Sequence, residues 1–285
     1  MSNSNTKDWD IVLEPNSRIL RLGIKEVWVY RDLLMLFVKR DIVAFYKQTI
    51  LGPIWFLVQP LFTVAIYVFV FGQLAGLSTS NLPQPIFYLT GITFWTYFSQ
   101  TLTKTSTILK SNISILGKVY FPRIIMPLSL VLSNMFKLLV QFGLLMLVCI
   151  YYVTIQEFEW SPSIYLIAFP VLIALLALQA LGFGMIVSAL TTKYRDLALL
   201  LSFGIQLLMY ISAIVYPLDA VTGLIGKIVG YNPISYLFEG FRMSLFSVGQ
   251  FDWTTLAYST VFTLIVLLGG LVIFNKVEKD FVDTV

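Results

Sequence analysis

Apolar residues run in long blocks along this chain, separated by short polar segments that carry most of the charge. Six blocks, near 53–73, 86–106, 129–152, 165–188, 197–216 and 255–275, are each long enough for a membrane-crossing helix, which needs about 20 mostly apolar residues. Ahead of them the period changes. Tyr30, Leu33, Leu34 and Phe37 recur at i, i+3, i+4 and i+7, and Arg31, Asp32, Lys39 and Arg40 fill much of the remainder; this is the pattern of an amphipathic helix. Such a helix, running straight into a crossing, lies along the membrane surface. Gly52-Pro53 turns the chain into the first block, and Pro60 interrupts it.

The sequence therefore predicts an all-α polytopic membrane protein. Its parts are a polar N-terminus (1–23), an interface helix (24–50), a six-helix transmembrane domain (51–277) and a tail (276–285). Residues 217–253 are only moderately apolar and hold Asp219, Lys227, Glu239, Arg242 and Asp252 with several glycines and Asn232-Pro233. A seventh crossing there would put Lys276 and Lys279 opposite the other basic segments. The stretch, 217–238 above all, is instead predicted as short helices dipping into the outer leaflet. Re-entry of that kind is tolerated only where protein or a cavity covers the backbone.

Charge gives the orientation. Sixteen of the 19 lysines and arginines fall before the first block, between blocks two and three, between four and five, or after the sixth. Lys227 and Arg242 fall on the opposite side, and Lys137 lies within a block. By the positive-inside rule both termini are cytoplasmic and the number of crossings is even. The first 50 residues are charged rather than an apolar secretory leader, so the first crossing is expected to act as an uncleaved anchor. The single cysteine, Cys149, excludes an internal disulfide or a cysteine metal cluster. A net charge of +4 reflects loops near anionic lipid rather than nucleic-acid binding, for which no soluble domain offers a groove.

Nucleotide and catalytic motifs are missing. Gly226-Lys227 has Val221 where a phosphate loop needs glycine and Ile228 where it needs Ser or Thr, so ATP-driven work requires a partner. With no histidine and no paired intramembrane carboxylates, hydrolytic triads and proton relays lack their parts. Polar residues do line helix faces. Thr93, Thr96, Gln100, Thr103 and Thr107 share one face of the second block beside Phe94, Tyr97 and Phe98. Two readings stay open there: threonines bonding back to their own helix, or a lined pathway offering weak hydrogen bonds and stacking surfaces to a sliding carbohydrate. Asn134, Lys137 and Gln141 share a face of the third block. Lys137 either snorkels to the cytoplasmic interface or faces a cavity with the other two. Ala180, Gly184 and Ser188 repeat a small-xxx-small spacing that permits close helix approach. On the cytoplasmic side, Lys118-Val-Tyr-Phe-Pro-Arg123 and Thr192-Lys-Tyr-Arg-Asp196 read as anchors or as docking points. The rigid group Tyr120, Phe121 and Pro122 favours docking.

At these residues the chain resembles the membrane subunits of type-2 ABC exporters for bacterial polysaccharides, which include O-antigen, capsule and teichoic-acid permeases. The resemblance rests on Val38-Lys-Arg40-Asp41, Tyr46-Lys47-Gln48-Thr49, Leu51-Gly52-Pro53-Ile54-Trp55 and Gln59-Pro60-Leu61. Phe121-Pro122-Arg123 with Pro127, Tyr194-Arg195-Asp196 and Asn232-Pro233 complete it. It implies a bacterial plasma-membrane permease (inner membrane in a Gram-negative cell) that pairs with a second copy and with two ATP-binding-cassette subunits. ATP and Mg would sit on those subunits, with no cofactor on this chain, and the substrate would be a lipid-linked glycan. It further implies a coupling loop over 108–125 with a short helix near 111–120. Arg40, Asp41, Lys118, Tyr120, Phe121, Pro122, Arg123, Arg195 and Asp196 would be at the ATPase contact. Trp55, Thr96, Tyr97, Phe98, Gln100, Asn134, Lys137 and Gln141 would be along the substrate path, and Pro217, Asn232 and Pro233 at an outer gate. The rivals are a drug or lipid as substrate of the same machine, and an ion-coupled secondary carrier, which would need internal symmetry that the sequence lacks.

Overall fold

A computed structural model describes residues 24–47, 52–112, 121–194 and 196–282. Among them every regular element is a helix. The interface segment forms α1 (Ile24–Val29) and α2 (Arg31–Lys47), with backbone hydrogen bonds carried across the turn at Tyr30. The anticipated apolar face is the one used: Phe37 is buried and Tyr30, Leu33 and Leu34 pack beside it, while Arg31, Asp32, Lys39 and Arg40 are exposed. Gly52 takes the left-handed φ of 52° and opens a 3-10 turn, Gly52–Ile54, that redirects the chain into α3 (Trp55–Tyr67). Glycine accepts that φ without a Cβ penalty. α3 widens into π-helical turns over Val68–Leu74.

The rest of the bundle is α4 (Gln84–Ser106), α5 (Ile108–Ser111), α6 (Ile125–Ile155), α7 (Phe169–Lys193), α8 (Leu197–Tyr210), α9 (Gly223–Tyr231), α10 (Pro233–Phe246) and α11 (Trp253–Val282). Four segments among the described residues are long and apolar enough to cross a membrane: Trp55–Leu74, Ile125–Ile155, Ile164–Thr192 and Trp253–Val277. α4 has 23 residues, about 35 Å at 1.5 Å per residue, but is rich in hydroxyls. It packs against α3, α6, α7, α8 and α10, so protein rather than lipid surrounds its N-terminal half.

α8 ends at Tyr210, earlier than the apolar block to 216 suggested, because the following residues fold inward. Ala213 adopts a left-handed φ of 50°, and the Asn232 amide donates to Ile211 O at 2.8 Å and to Ser212 Oγ at 2.9 Å. Ile211, Ala213, Ile214 and Val215 are equally apolar in a helix or in a buried turn, so hydropathy could not find that end.

Small residues set the helix crossings. A Cβ on Gly184 would stand 2.5 Å from Thr105 Cβ, and Thr191 Oγ1 donates to Ser106 O at 2.8 Å. The Ala180, Gly184, Ser188 spacing thus does bring α7 onto α4. α7 and α11 meet backbone to backbone: a Cβ on Gly270 would lie 2.6 Å from Gly182 O, and Gln179 Nε2 donates to Thr263 Oγ1 at 2.9 Å. The core has two parts. The larger is aromatic, around the N-terminal half of α4. The smaller lies under the interface helix and contains Phe37, Phe121, Ile125 and Phe274.

Candidate functional site

The C-terminal half of α4 presents an unusual face. From Thr96 to Ser111 every residue that is not buried is polar: Thr96, Ser99, Gln100, Thr103 and Lys104, then Thr107, Lys110 and Ser111. Large exposed side chains elsewhere in the bundle are mostly apolar, as at Phe62 and Ile66 on α3, Leu139 and Leu147 on α6, Leu199 on α8 and Ile265 on α11, and these suit lipid, although Gln59 on α3 and Ser202 and Gln206 on α8 are exposed as well. A hydroxyl and amide stripe on a membrane helix is costly against hydrocarbon. It belongs against water, a polar ligand or another polar surface. Ser99 and Ser106 donate to carbonyls three residues back, which is the local back-bonding reading. Thr96, Gln100 and Thr103 donate no such bond among those described.

The anticipated path residues divide. Thr96 and Gln100 lie on this open face. Tyr97 and Phe98 are buried behind it: the Tyr97 hydroxyl donates to Val131 O at 3.5 Å, and Phe98 packs 5.5 Å from Trp95, ring to ring. Trp55 is exposed at the start of α3. Asn134, Lys137 and Gln141 share the face of α6 turned into the bundle, and all three are buried.

Around Lys137 the structure assembles a polar cluster. Lys137 Nζ donates to Gln100 Oε1 at 3.1 Å and sits 5.4 Å above the Phe56 ring. Lys104 Nζ lies against Lys137 and reaches Asn134 Oδ1 at 3.5 Å, and the Asn134 amide donates to Thr101 Oγ1 at 3.1 Å. Asp41 of α2 is the carboxylate near both lysines, and its Oδ1 is held by Arg40 Nη2 at 2.9 Å. Lys137 is 7% exposed, so it does not snorkel to water; it faces the amides and the second amine. Lys104 was not among the residues singled out from the sequence. Its pairing with Lys137 crosses between α4 and α6, which no single-helix spacing reveals.

Under the interface helix, Phe121 is buried with its ring 5.8 Å from Phe37, and the Arg40 guanidinium covers the other ring at 4.9 Å. Phe121 therefore docks onto the chain's own interface helix and fixes the start of α6 to α2. Pro122 and Arg123 are half-buried, and Asp196 is exposed ahead of α8. Lys118, Tyr120 and Arg195, and most of the short helix anticipated near 111–120, lie outside the described residues.

The end of the bundle around the start of α4 is organised by charge. Glu239 and Arg242 are both 1% exposed and joined at 3.2 Å. Glu239 Oε1 also accepts from Leu218 N at 3.1 Å, and its Oε2 accepts from Gln250 N at 3.0 Å. Arg242 donates to Ala213 O and lies 4.3 Å from the Phe87 ring centre. One ion pair thus ties the connections before α9 and after α10 to α4. Asn232 caps α10 by accepting from Ile234 N at 3.0 Å while gripping the end of α8. Pro233 is the first residue of α10, and Pro217 is buried in the connection after α8. Sequence reading saw Glu239 and Arg242 only as charges arguing against a seventh crossing; their i, i+3 spacing on one helix face was the available signal. Asp252 caps α11, accepting from Thr255 N and the Thr254 hydroxyl, both at 2.8 Å. These bonds, the backbone one first, hold its carboxyl below the usual range.

A cavity of about 270 Å³ under the interface helix is bordered only by aliphatic side chains, among them Val27, Leu128, Leu181 and Leu271, and offers no reactive group. Among the described residues no three His, Cys, Asp or Glu side chains converge as a metal site would require.

The chain is 29% identical to the O-antigen export system permease protein RfbA of Klebsiella pneumoniae over 254 residues, 88% of this chain and 94% of that protein. It is 23% identical to the O-antigen export system permease protein RfbA of Myxococcus xanthus, over 92% of this chain and 98% of that one. To the polysialic acid transport protein KpsM of Escherichia coli it is 21% identical, over 84% and 91% of the two chains. The profile of ABC-2 type transporter membrane proteins matches residues 32–246, and the chain belongs to that family.

Proposed function

We propose that this chain is the permease subunit of an ATP-driven exporter that moves a lipid-linked polysaccharide outward across the bacterial plasma membrane. The observation that carries the reading is the polar open face of α4, Thr96 to Thr103, within a chain matched over nearly its whole length by polysaccharide-export permeases. Hydroxyls and amides give a glycan many weak, exchangeable hydrogen bonds, and Tyr97 and Phe98 stiffen the wall behind them. Six crossings complete the bundle: the four apolar segments, α4, and α8 with its inward connection. Both termini are then cytoplasmic, and α9 with the start of α10 forms the outer re-entrant layer.

Two copies would enclose the passage between their α4 faces, and two ATP-binding-cassette subunits would drive it. ATP and Mg belong to those subunits. Their contact would be α2 with Arg40 and Asp41, the loop with Lys118, Tyr120, Pro122 and Arg123, and the turn with Arg195 and Asp196. Phe121 transmits the push because it joins that loop to α2. Nucleotide binding then biases one arrangement of the helices over another.

Deleting the gene tests the reading. Surface polysaccharide should disappear and lipid-linked glycan should accumulate on the cytoplasmic side, restored by the wild-type gene on a plasmid. A deletion strain with normal surface polysaccharide refutes it.

A further inference from the structure

We infer that the aliphatic cavity under the interface helix holds an acyl chain of a membrane phospholipid whose phosphate lies at Lys276. The assignment does not depend on what is exported. The cavity begins at the close crossing of α7 and α11. Where Gly182 and Gly270 bring the two backbones together, leucines flank the crossing: Leu178 and Leu181 on one helix, Leu267 and Leu271 on the other. Leu128 of α6 and Val27 of α1 complete the wall around about 270 Å³. Leu181 and Leu271 are buried and make the floor. Val27, Leu128, Leu178 and Leu267 are half-buried and make the rim, so the space opens at the bundle surface.

Water does not suit it. A buried water needs two to four polar partners, and among the described residues the lining is wholly aliphatic. An apolar cavity of about 150 Å³ stays dry and takes benzene; a larger one takes a longer guest. A methylene has about the bulk of a water, roughly 30 Å³, so about nine chain carbons would fill the space.

Lipid is the neighbour that can supply them. Three apolar spans contribute walls, Ile125–Ile155, Ile164–Thr192 and Trp253–Val277, which puts the cavity at membrane depth. Its rim continues into the lipid-facing stripe of α11, where Val261, Leu264, Ile265 and Leu268 are exposed. Lys276, also exposed, ends that stripe. It lies nine residues beyond Leu267, about 14 Å along the helix at 1.5 Å per residue. An ammonium at the end of an apolar stripe marks the level of lipid phosphate, and a chain hanging from that level reaches the cavity. The lipid carrier of a substrate fits less well. Among the described residues α4, whose polar face is the proposed route, adds no side chain to the lining. A seated chain joins α1 to α7 and α11 and so steadies the interface helix.

The test weighs the full-length protein, delipidated in mild detergent, by native mass spectrometry. It then maps a phospholipid carrying a mid-chain diazirine in nanodiscs. Wild type should retain a phospholipid, and the label should fall on 178–181 and 267–271. L178F/L271F, whose rings occupy the space, should lower retention at least about tenfold without lowering thermal stability in lipid-free detergent. V27F, on the opposite wall, carries the same expectation and decides the matter if the double variant does not fold. K276Q should remove a preference for anionic over zwitterionic phospholipid, and K276R should keep it. Wild type without bound phospholipid, or label confined to outward residues such as Ile265 and Leu268, overturns the site. Undiminished retention in the filled variants does the same. Stronger retention of a polyprenyl phosphate gives the cavity to a carrier lipid, and crosslinks from Leu271 to residues 1–23 give it to the chain itself; either result overturns the phospholipid assignment.

Discussion

Removing one partner of the Glu239–Arg242 pair should cripple the fold. Both groups are 1% exposed and 3.2 Å apart, so R242M leaves a carboxylate buried without its cation. Breaking a buried pair from one side costs about 3–5 kcal/mol, a large share of the 5–15 kcal/mol that stabilises a typical protein. In many proteins an apolar pair of similar volume restores stability. Here it should not. Glu239 also accepts from Leu218 N and Gln250 N, and each buried donor left without an acceptor costs about 1–3 kcal/mol. E239L/R242M should thus remain roughly 2–6 kcal/mol below wild type. E239Q keeps one acceptor oxygen but turns an amide toward a backbone N–H, so it should fall between. The assay is reversible unfolding in mixed micelles by SDS titration, followed by tryptophan fluorescence. A double variant as stable as wild type would refute the argument, because the backbone acceptors would then be unimportant. So would an R242M variant within about 1 kcal/mol of wild type, well under the one-sided penalty.

Other substitutions follow from the same geometry. G270A should force α7 and α11 apart and lower thermal stability sharply, whereas G143A, with open space around its Cβ, should gain up to about 1 kcal/mol from helix propensity; thermal unfolding in detergent compares the two. N232A should lose the α10 cap, about 1 kcal/mol, and also free the end of α8, read as faster hydrogen exchange over 205–216. A double-mutant cycle of F37A and F121A should give a coupling of about 0.5–1.5 kcal/mol and reduce export beyond the loss in folded protein. Asp252 titrates below the usual carboxylate range, so its cap stabilises α11 above the unfolded-state value and is lost as pH falls through the folded one. D252N should abolish that acid-side change while keeping an acceptor, measured by helicity between about pH 5 and pH 2.

How much of this was legible in the sequence depends on which physical signal each feature writes into it. The interface helix was readable residue by residue, because a 3.6 period in Tyr30, Leu33, Leu34 and Phe37 has one geometric meaning. That α7 comes close to a neighbouring helix was readable from Ala180, Gly184 and Ser188, but not that the neighbour is α4. The α7–α11 contact was not, since Gly182 and Gly270 are 88 positions apart in sequence and neither spacing names its partner. Phe121 was recognised as needing a dock, but its partner is Phe37 of the same chain, a contact that only the fold supplies. Lys137 had two readings that spacing could not separate; burial and the Gln100 bond decide for the interior. The end of α8 was hidden because hydropathy is blind to whether an apolar residue sits in a helix or in a turn covered by protein.

The same helix that opens a polar face in its C-terminal half is sealed in its N-terminal half. Between Ile86 and Trp95 every residue of α4 is buried, and Phe94 stacks on Phe241 of α10 with ring centres 3.7 Å apart, while Trp95 meets Phe238 at 6.3 Å. Thr90 and Thr93 continue the hydroxyl series into this sealed half, yet they have no open face. On the proposed export reading, a ligand advancing along Thr103, Gln100 and Thr96 would meet an aromatic plug made by α10, the helix anchored through Arg242 and Asn232. Lateral separation of α10 from α4 would extend the hydroxyl series outward to Thr93 and Thr90. A cysteine pair at 94 and 241 tests this directly: crosslinking should block export while leaving cytoplasmic loading intact. Undiminished export in the crosslinked protein would place the path elsewhere.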